Sequence, residues 1–146
     1  MKNGDALTHY QKTNIETSGK LELVIMCYEK AILFLHDAKH YFQEQQFEKK
    51  AKNLKRVLDI IYELRASLNF EKGDEIAANL AAIYGYLIRR LQDGDIKKDL
   101  SAFDETIEIL SELKEAWENI APGKENHANN TIIPAVPARI DPRVAA

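Results

Sequence analysis

The sequence predicts an all-α fold, an antiparallel four-helix bundle, and three observations carry that prediction. Residues 1–121 contain no proline; all four, Pro122, Pro134, Pro137 and Pro142, lie beyond them. Apolar residues recur at helical spacing in four stretches of roughly 20 residues. No segment alternates apolar and polar residues in the two-residue period of a strand. The 146 residues, 45% hydrophobic and 29% charged, suffice for one domain with its own core and are too few for two.

Each helix is argued from its own residues. The first is expected from about Lys20 to Gln45, with Ser18 as its N-cap and Gly19 just before the apolar run. The second covers about Phe47 to Asn69, with Phe47, Ala51, Leu54, Leu58, Ile61 and Leu68 on one side. The third, about Asp74 to Gln92, aligns Ile76, Leu80, Ile83, Tyr84, Leu87 and Leu91. The fourth, about Ile96 to Ile120, repeats Ile96, Leu100, Phe103, Ile107, Leu110 and Trp117 at near-heptad spacing. Gly73-Asp74 and Gly94-Asp95 read as the joints, each glycine followed by a cap residue, while Gly85 sits inside a periodic segment where it permits close packing. Short connections make sequential helices antiparallel neighbours. The expected domain plan is an N-terminal segment over 1–17, the bundle over 18–121 and a disordered proline-containing tail over 122–146. Within that tail, Ile132-Ile133-Pro134 is the one stretch that reads as a short docking motif.

Composition closes off several classes. The single cysteine, Cys27, allows neither an intrachain disulfide nor a four-sulfur zinc site, and suits a reducing compartment. The first residues lack the apolar core of a secretory signal, and the longest unbroken apolar run, Leu23 to Tyr28, is far short of the about 20 residues of a membrane span. The basic cluster Lys49, Lys50, Lys52, Lys55 and Arg56 reads as a solvated helix face, because the chain carries a net charge of -3 and no nucleic-acid motif. A soluble protein of the cytoplasm is expected.

The first helix is too apolar for its place. At 100° per residue, Leu21, Val24, Tyr28, Ile32 and Leu35 form one stripe; Leu23, Cys27, Phe34 and Tyr41 form a second beside it. Together they span about 180°, with Met26 and Leu33 further round, where a bundle helix needs a stripe little wider than about 100°. The surplus has two readings: a central helix covered by its own chain, or a groove that receives a partner's amphipathic segment.

Catalytic and metal chemistry is thinly represented. His36 and His40 have the spacing of two metal ligands, but the His-Glu-x-x-His motif is absent, and one Asp37-Ala-Lys-His40 does not make a di-iron site. His36-Asp-Ala-Lys39 is faintly like a histidine phosphotransfer motif, with His40 where that motif has glycine, and remains the alternative of a different class. Cys27 reads as a small hydrophobe, Arg65 as a snorkelling or paired residue in the apolar stripe of the second helix, and Tyr86 as a contact residue. The chain does not read as an enzyme.

Seven pieces in order carry a family resemblance. They are Tyr10-Gln11; Leu23-Val-Ile-Met-Cys-Tyr28-Glu-Lys-Ala-Ile32; Asp59-Ile-Ile-Tyr-Glu-Leu-Arg65-Ala-Ser-Leu68-Asn-Phe-Glu-Lys-Gly73; Glu75-Ile-Ala-Ala-Asn-Leu80; Ile83-Tyr84-Gly-Tyr86; Arg89-Arg-Leu91; and Leu113-Lys-Glu-Ala-Trp117. With these the chain resembles the flagellar export chaperone family, FliS, which binds flagellin. The resemblance departs at Ser18-Gly19, where the family commonly has Ser/Thr-Pro, at Cys27, where it has Leu, and in the length of the tail.

The resemblance implies a bundle whose N-terminal segment folds over a hydrophobic groove. It implies binding of the C-terminal segment of flagellin, protection against premature polymerisation in the bacterial cytosol, and delivery to the flagellar type III export gate, with no cofactor and no metal. Leu23, Met26, Leu64, Leu68, Leu80 and Tyr84 are the expected groove residues, and Tyr10 and Ile15 the expected cap. An exposed groove would also allow a homodimer in the free state.

Overall fold

A computed structural model describes residues 20–120, with side chains at all of them except 72–74. Four helices fill it: α1, Lys20–Gln43; α2, Phe47–Ala66; α3, Phe70–Lys97; and α4, Leu100–Asn119. They form an antiparallel bundle in which α1 packs on α2 and α4, and α3 packs on α2 and α4.

Two of the three connections are built alike, and neither uses glycine. After α1, Gln45 adopts a left-handed backbone (φ 60°), the Gln46 N–H donates to the Tyr41 carbonyl at 2.8 Å, and the Gln45 N–H donates to Phe42 at 3.1 Å. After α3, Lys98 does the same (φ 57°), with Asp99 N–H to the Gly94 carbonyl at 2.7 Å and Lys98 N–H to Asp95 at 3.3 Å. Both are Schellman closures, which satisfy the last carbonyls of a helix and reverse the chain in two or three residues.

The expected joints at Gly73 and Gly94 are corrected accordingly. Helix α3 runs through both positions, beginning at Phe70 and ending at Lys97, so Ile96 belongs to α3 and not to the start of α4. Its cap is Asn69, whose Oδ1 accepts from the Glu71 N–H at 3.1 Å. The cap of α4 is Asp99, accepting from the Ser101 N–H at 3.0 Å and the Ser101 hydroxyl at 2.6 Å. Those two bonds hold the Asp99 carboxyl below its ordinary pKa, with Arg90 adding to the effect. Gly94 is needed for another reason: a Cβ there would collide with the Ala102 side chain and lie 3.2 Å from the Asp99 carbonyl. It is where the end of α3 crosses the first turn of α4. Ser18, the expected cap of α1, lies outside the described residues.

The core is layered at 3-4 spacing. Helix α1 contributes Tyr28, Ala31, Leu35 and Ala38, and α2 contributes Leu54, Val57, Ile61 and Leu64. From α3 come Leu80, Ile83, Tyr84, Leu87, Ile88 and Leu91, and from α4 Ala102, Phe103, Ile109, Leu110 and Leu113. Burial of each large side chain contributes about 1.5–3 kcal/mol. The stripe of α2 is rotated from its expectation: Phe47 and Ala51 are exposed, while Asn53 and Val57 face inward. Burying Asn53 and Thr106 is tolerable because both bond their own helix, Asn53 Nδ2 to the Lys49 carbonyl at 2.9 Å and Thr106 Oγ1 to Ala102 at 2.8 Å. Arg65 is exposed, so it is not a buried core cation.

Candidate functional site

Helix α1 is the element whose apolar surface exceeds what a bundle needs, and the structure divides that surplus into a covered and an uncovered part. The covered part lies against α2. The Arg56 guanidinium sits over the Phe34 ring at 5.3 Å, Lys49 over Tyr41 at 5.5 Å, and Lys50 over Phe42 at 5.7 Å while also pairing with Asp95. Four of the five residues in the basic cluster are exposed, as expected of a solvated face, but Lys49, Lys50 and Arg56 also lay their cationic side chains over aromatic rings of α1. Cys27 is partly buried on that side, and desolvation pushes its thiol pKa up, so it packs rather than reacts.

The uncovered part is Leu23, 49% exposed, Met26, 46%, and Leu33, 57%. At 100° per residue these three lie within about 80° of one another, an outward-facing set of apolar side chains between Leu23 and Leu33 with the exposed Lys30 among them. Tyr62 on α2 and Phe70 at the start of α3 are also about half exposed.

The other expected groove residues are placed differently. Leu64, Leu80 and Tyr84 are core residues with 4% exposure or less, and Leu68 is half-buried against the core. The six therefore do not share one exposed surface. Periodicity identifies a buried side without saying whether the bundle or a guest buries it. The expected cap residues Tyr10 and Ile15 lie outside the described residues.

Behind the open face is a polar node within the core. Trp117 Nε1 donates to the Tyr28 hydroxyl at 3.0 Å, and the Tyr28 and Tyr84 hydroxyls bond to each other. One atom of α1 thus ties together α3 and α4, across the bundle and around it. Burial pushes the Tyr28 phenol up to about 12 and that of Tyr84 well above its ordinary value. Sequence reasoning missed the node because three aromatics at helical spacing look like ordinary core.

Tyr86, expected as a partner contact, is used internally. Its hydroxyl donates to Glu105 at 2.7 Å, and the Arg90 Nε donates to the other Glu105 oxygen at 2.7 Å. Arg90 reaches on to Ser101 at 3.2 Å, so this network fastens α3 to the start of α4.

A groove of about 640 Å³ runs between α1 and α4, lined by Glu29, Ile32, Leu33, Ser111, Lys114, Glu115 and Glu118. His36 and His40 are exposed on α1, and among the described residues no three His, Cys, Asp or Glu side chains group as metal ligands. No helix among the described residues is long and apolar enough to cross a membrane.

Residues 1–124 match the family model described as flagellar protein FliS. Similar curated proteins carry the name flagellar secretion chaperone FliS. That of Vibrio cholerae is 31% identical over 125 residues, covering 83% of this chain and 92% of its own. That of Salmonella typhimurium is 35% identical over 102 residues (69% and 76%), and that of Bacillus subtilis 29% over 127 residues (86% and 94%).

Proposed function

The chain belongs to the FliS family of flagellar secretion chaperones, and on that premise we propose that it is a flagellin-specific export chaperone. It binds the C-terminal segment of flagellin as an amphipathic guest, keeps it from polymerising in the cytosol, and presents it to the flagellar type III export apparatus. The observation that supports this reading is the exposure of Leu23, Met26 and Leu33 on a helix whose aromatic stripe is already covered by α2. A chaperone of this kind needs a surface that is apolar without being core, and needs neither nucleophile nor cofactor.

In this mechanism the guest lays its apolar side along α1, with Leu68 at the edge, while Leu64, Leu80 and Tyr84 support the surface from the core. Before the guest arrives, Tyr10 and Ile15 hold the N-terminal segment over the same face, and the guest displaces them. Each guest side chain buried there contributes about 1.5–3 kcal/mol, against several kcal/mol spent ordering a flexible segment.

Titration calorimetry with the C-terminal segment of flagellin from the same organism tests the reading. One guest per chain and a large negative heat-capacity change are expected. If the full chain is silent, deletion of residues 1–17 restores binding when that segment is the cap; silence from both proteins rejects flagellin as the guest.

A further inference from the structure

The groove between α1 and α4 is a second surface, distinct in chemistry from the face just described. Its floor is Ile32 and Leu33; its rim carries three carboxylates, Glu29, Glu115 and Glu118, against one ammonium, Lys114. That ammonium is already shared, 2.9 Å from Glu118 and 3.8 Å from Glu29. The groove therefore suits an apolar segment that brings its own positive charge.

Such a segment exists in the chain itself. Helix α4 ends at Asn119, one residue after the groove-lining Glu118, so the described part of the chain ends beside the groove. The residues that follow are candidates to fill it. They include Ile132, Ile133, Val136 and Ile140, with Arg139 and Arg143 among them. Beyond Asn119 the segment has three cations (Lys124, Arg139, Arg143) against two acids (Glu125, Asp141), in a chain whose net charge is -3. Pro134, Pro137 and Pro142 favour an extended backbone that loses little entropy on docking. From Asn119 to Ile133 an extended chain reaches at most about 46–50 Å, more than the roughly 10 Å that separates Glu118 from Ser111 along α4. The match to the family model ends at residue 124, before this segment.

We propose that the α1–α4 groove is the docking site of the chain's own C-terminal segment, residues 131–143, with Ile132 and Ile133 on the Ile32–Leu33 floor and Arg139 and Arg143 on the acidic rim. Leu33 belongs both to the groove and to the open face of α1, so the docked segment covers part of that face. The inference does not depend on the identity of the guest, and its test uses none.

A photo-crosslinking benzophenone side chain in place of Ile133 of the full chain, irradiated at low protein concentration, gives the test. The diagnostic product joins this position to the tryptic peptide Ala31–Lys39 within one chain, because linkage to the end of α4 would follow from proximity in sequence alone. Glu115→Lys with Glu118→Lys lowers the yield at least about fivefold, as two partly exposed ion pairs would. Adding Arg139→Glu and Arg143→Glu restores it. No product with Ala31–Lys39, a product only at dimer mass, or a yield indifferent to the charge reversal would each overturn the proposal; the dimer product would assign the groove to a second copy.

Discussion

Tyr28 does more for the bundle than fill volume. Its hydroxyl is the acceptor for Trp117 and the partner of Tyr84, so Tyr28→Phe leaves two polar groups behind it unpartnered. That substitution costs about 1–3 kcal/mol in denaturant unfolding, whereas Tyr84→Phe, which leaves the Trp117 bond intact, costs only about 0.5–1.5 kcal/mol. Equal losses would mean that the node does not act through Tyr28. Tyr28→Phe also changes the emission of Trp117, the only tryptophan in the chain. The sequence showed that Tyr28 and Tyr84 were at helical spacing within apolar runs. Their meeting was not legible, because α1 and α3 are diagonal in the bundle and no local pattern records a diagonal contact. Gly94 is a similar case: a helical glycine looks like a joint, but what it provides is room for Ala102. Gly94→Ala lowers stability by about 1–3 kcal/mol, despite a gain of about 1 kcal/mol in helix propensity, because overpacking at a backbone crossing outweighs propensity. A stabilised Gly94→Ala protein would contradict that account.

At the scale of elements, helix existence and type were legible throughout, and so were the starts of α1 and α2 and the end of α4, but both ends of α3 and the start of α4 were not. Apolar periodicity over some 20 residues outweighs any single glycine. The closures fell instead on Gln45 and Lys98, residues that carry no turn signal, because the Schellman bonds and the packing of the adjoining helices impose the left-handed backbone there. That conformation costs a non-glycine residue about 1–2 kcal/mol, and glycine's added freedom in the unfolded chain returns about half of it. Gln45→Gly and Lys98→Gly are therefore each expected to stabilise the protein by about 0.5–1 kcal/mol, read as a raised midpoint of thermal unfolding. The surplus apolar face of α1 was also legible; its cover was not, since nothing in the pattern of α2 says that Lys49, Lys50 and Arg56 lie across the aromatics of its neighbour.

For the whole molecule, the proposed function puts stability and guest binding on different sides of α1. The inward side holds Tyr28 and Leu35, and Leu35→Ala costs about 2–5 kcal/mol. The outward side holds Leu23, Met26 and Leu33, where substitution leaves stability within about 0.5 kcal/mol. The alkaline limit belongs to the core. The Tyr28 phenol titrates near 12 in the folded protein and near 10 unfolded, so its contribution is complete below about pH 10 and is lost as pH rises toward about 12. Denaturant midpoints measured across that window should fall for the native sequence and fall less for Tyr28→Phe.

The most direct test of the account is the affinity of a Leu23→Asp/Met26→Asp protein for the C-terminal segment of flagellin, measured beside the native chain by calorimetry. The account predicts binding weakened by at least about tenfold, with an unchanged midpoint of thermal unfolding, because two side chains are removed from the guest's surface and none from the core. Native affinity in a folded double variant would contradict it, and would place the guest elsewhere than on the open face of α1.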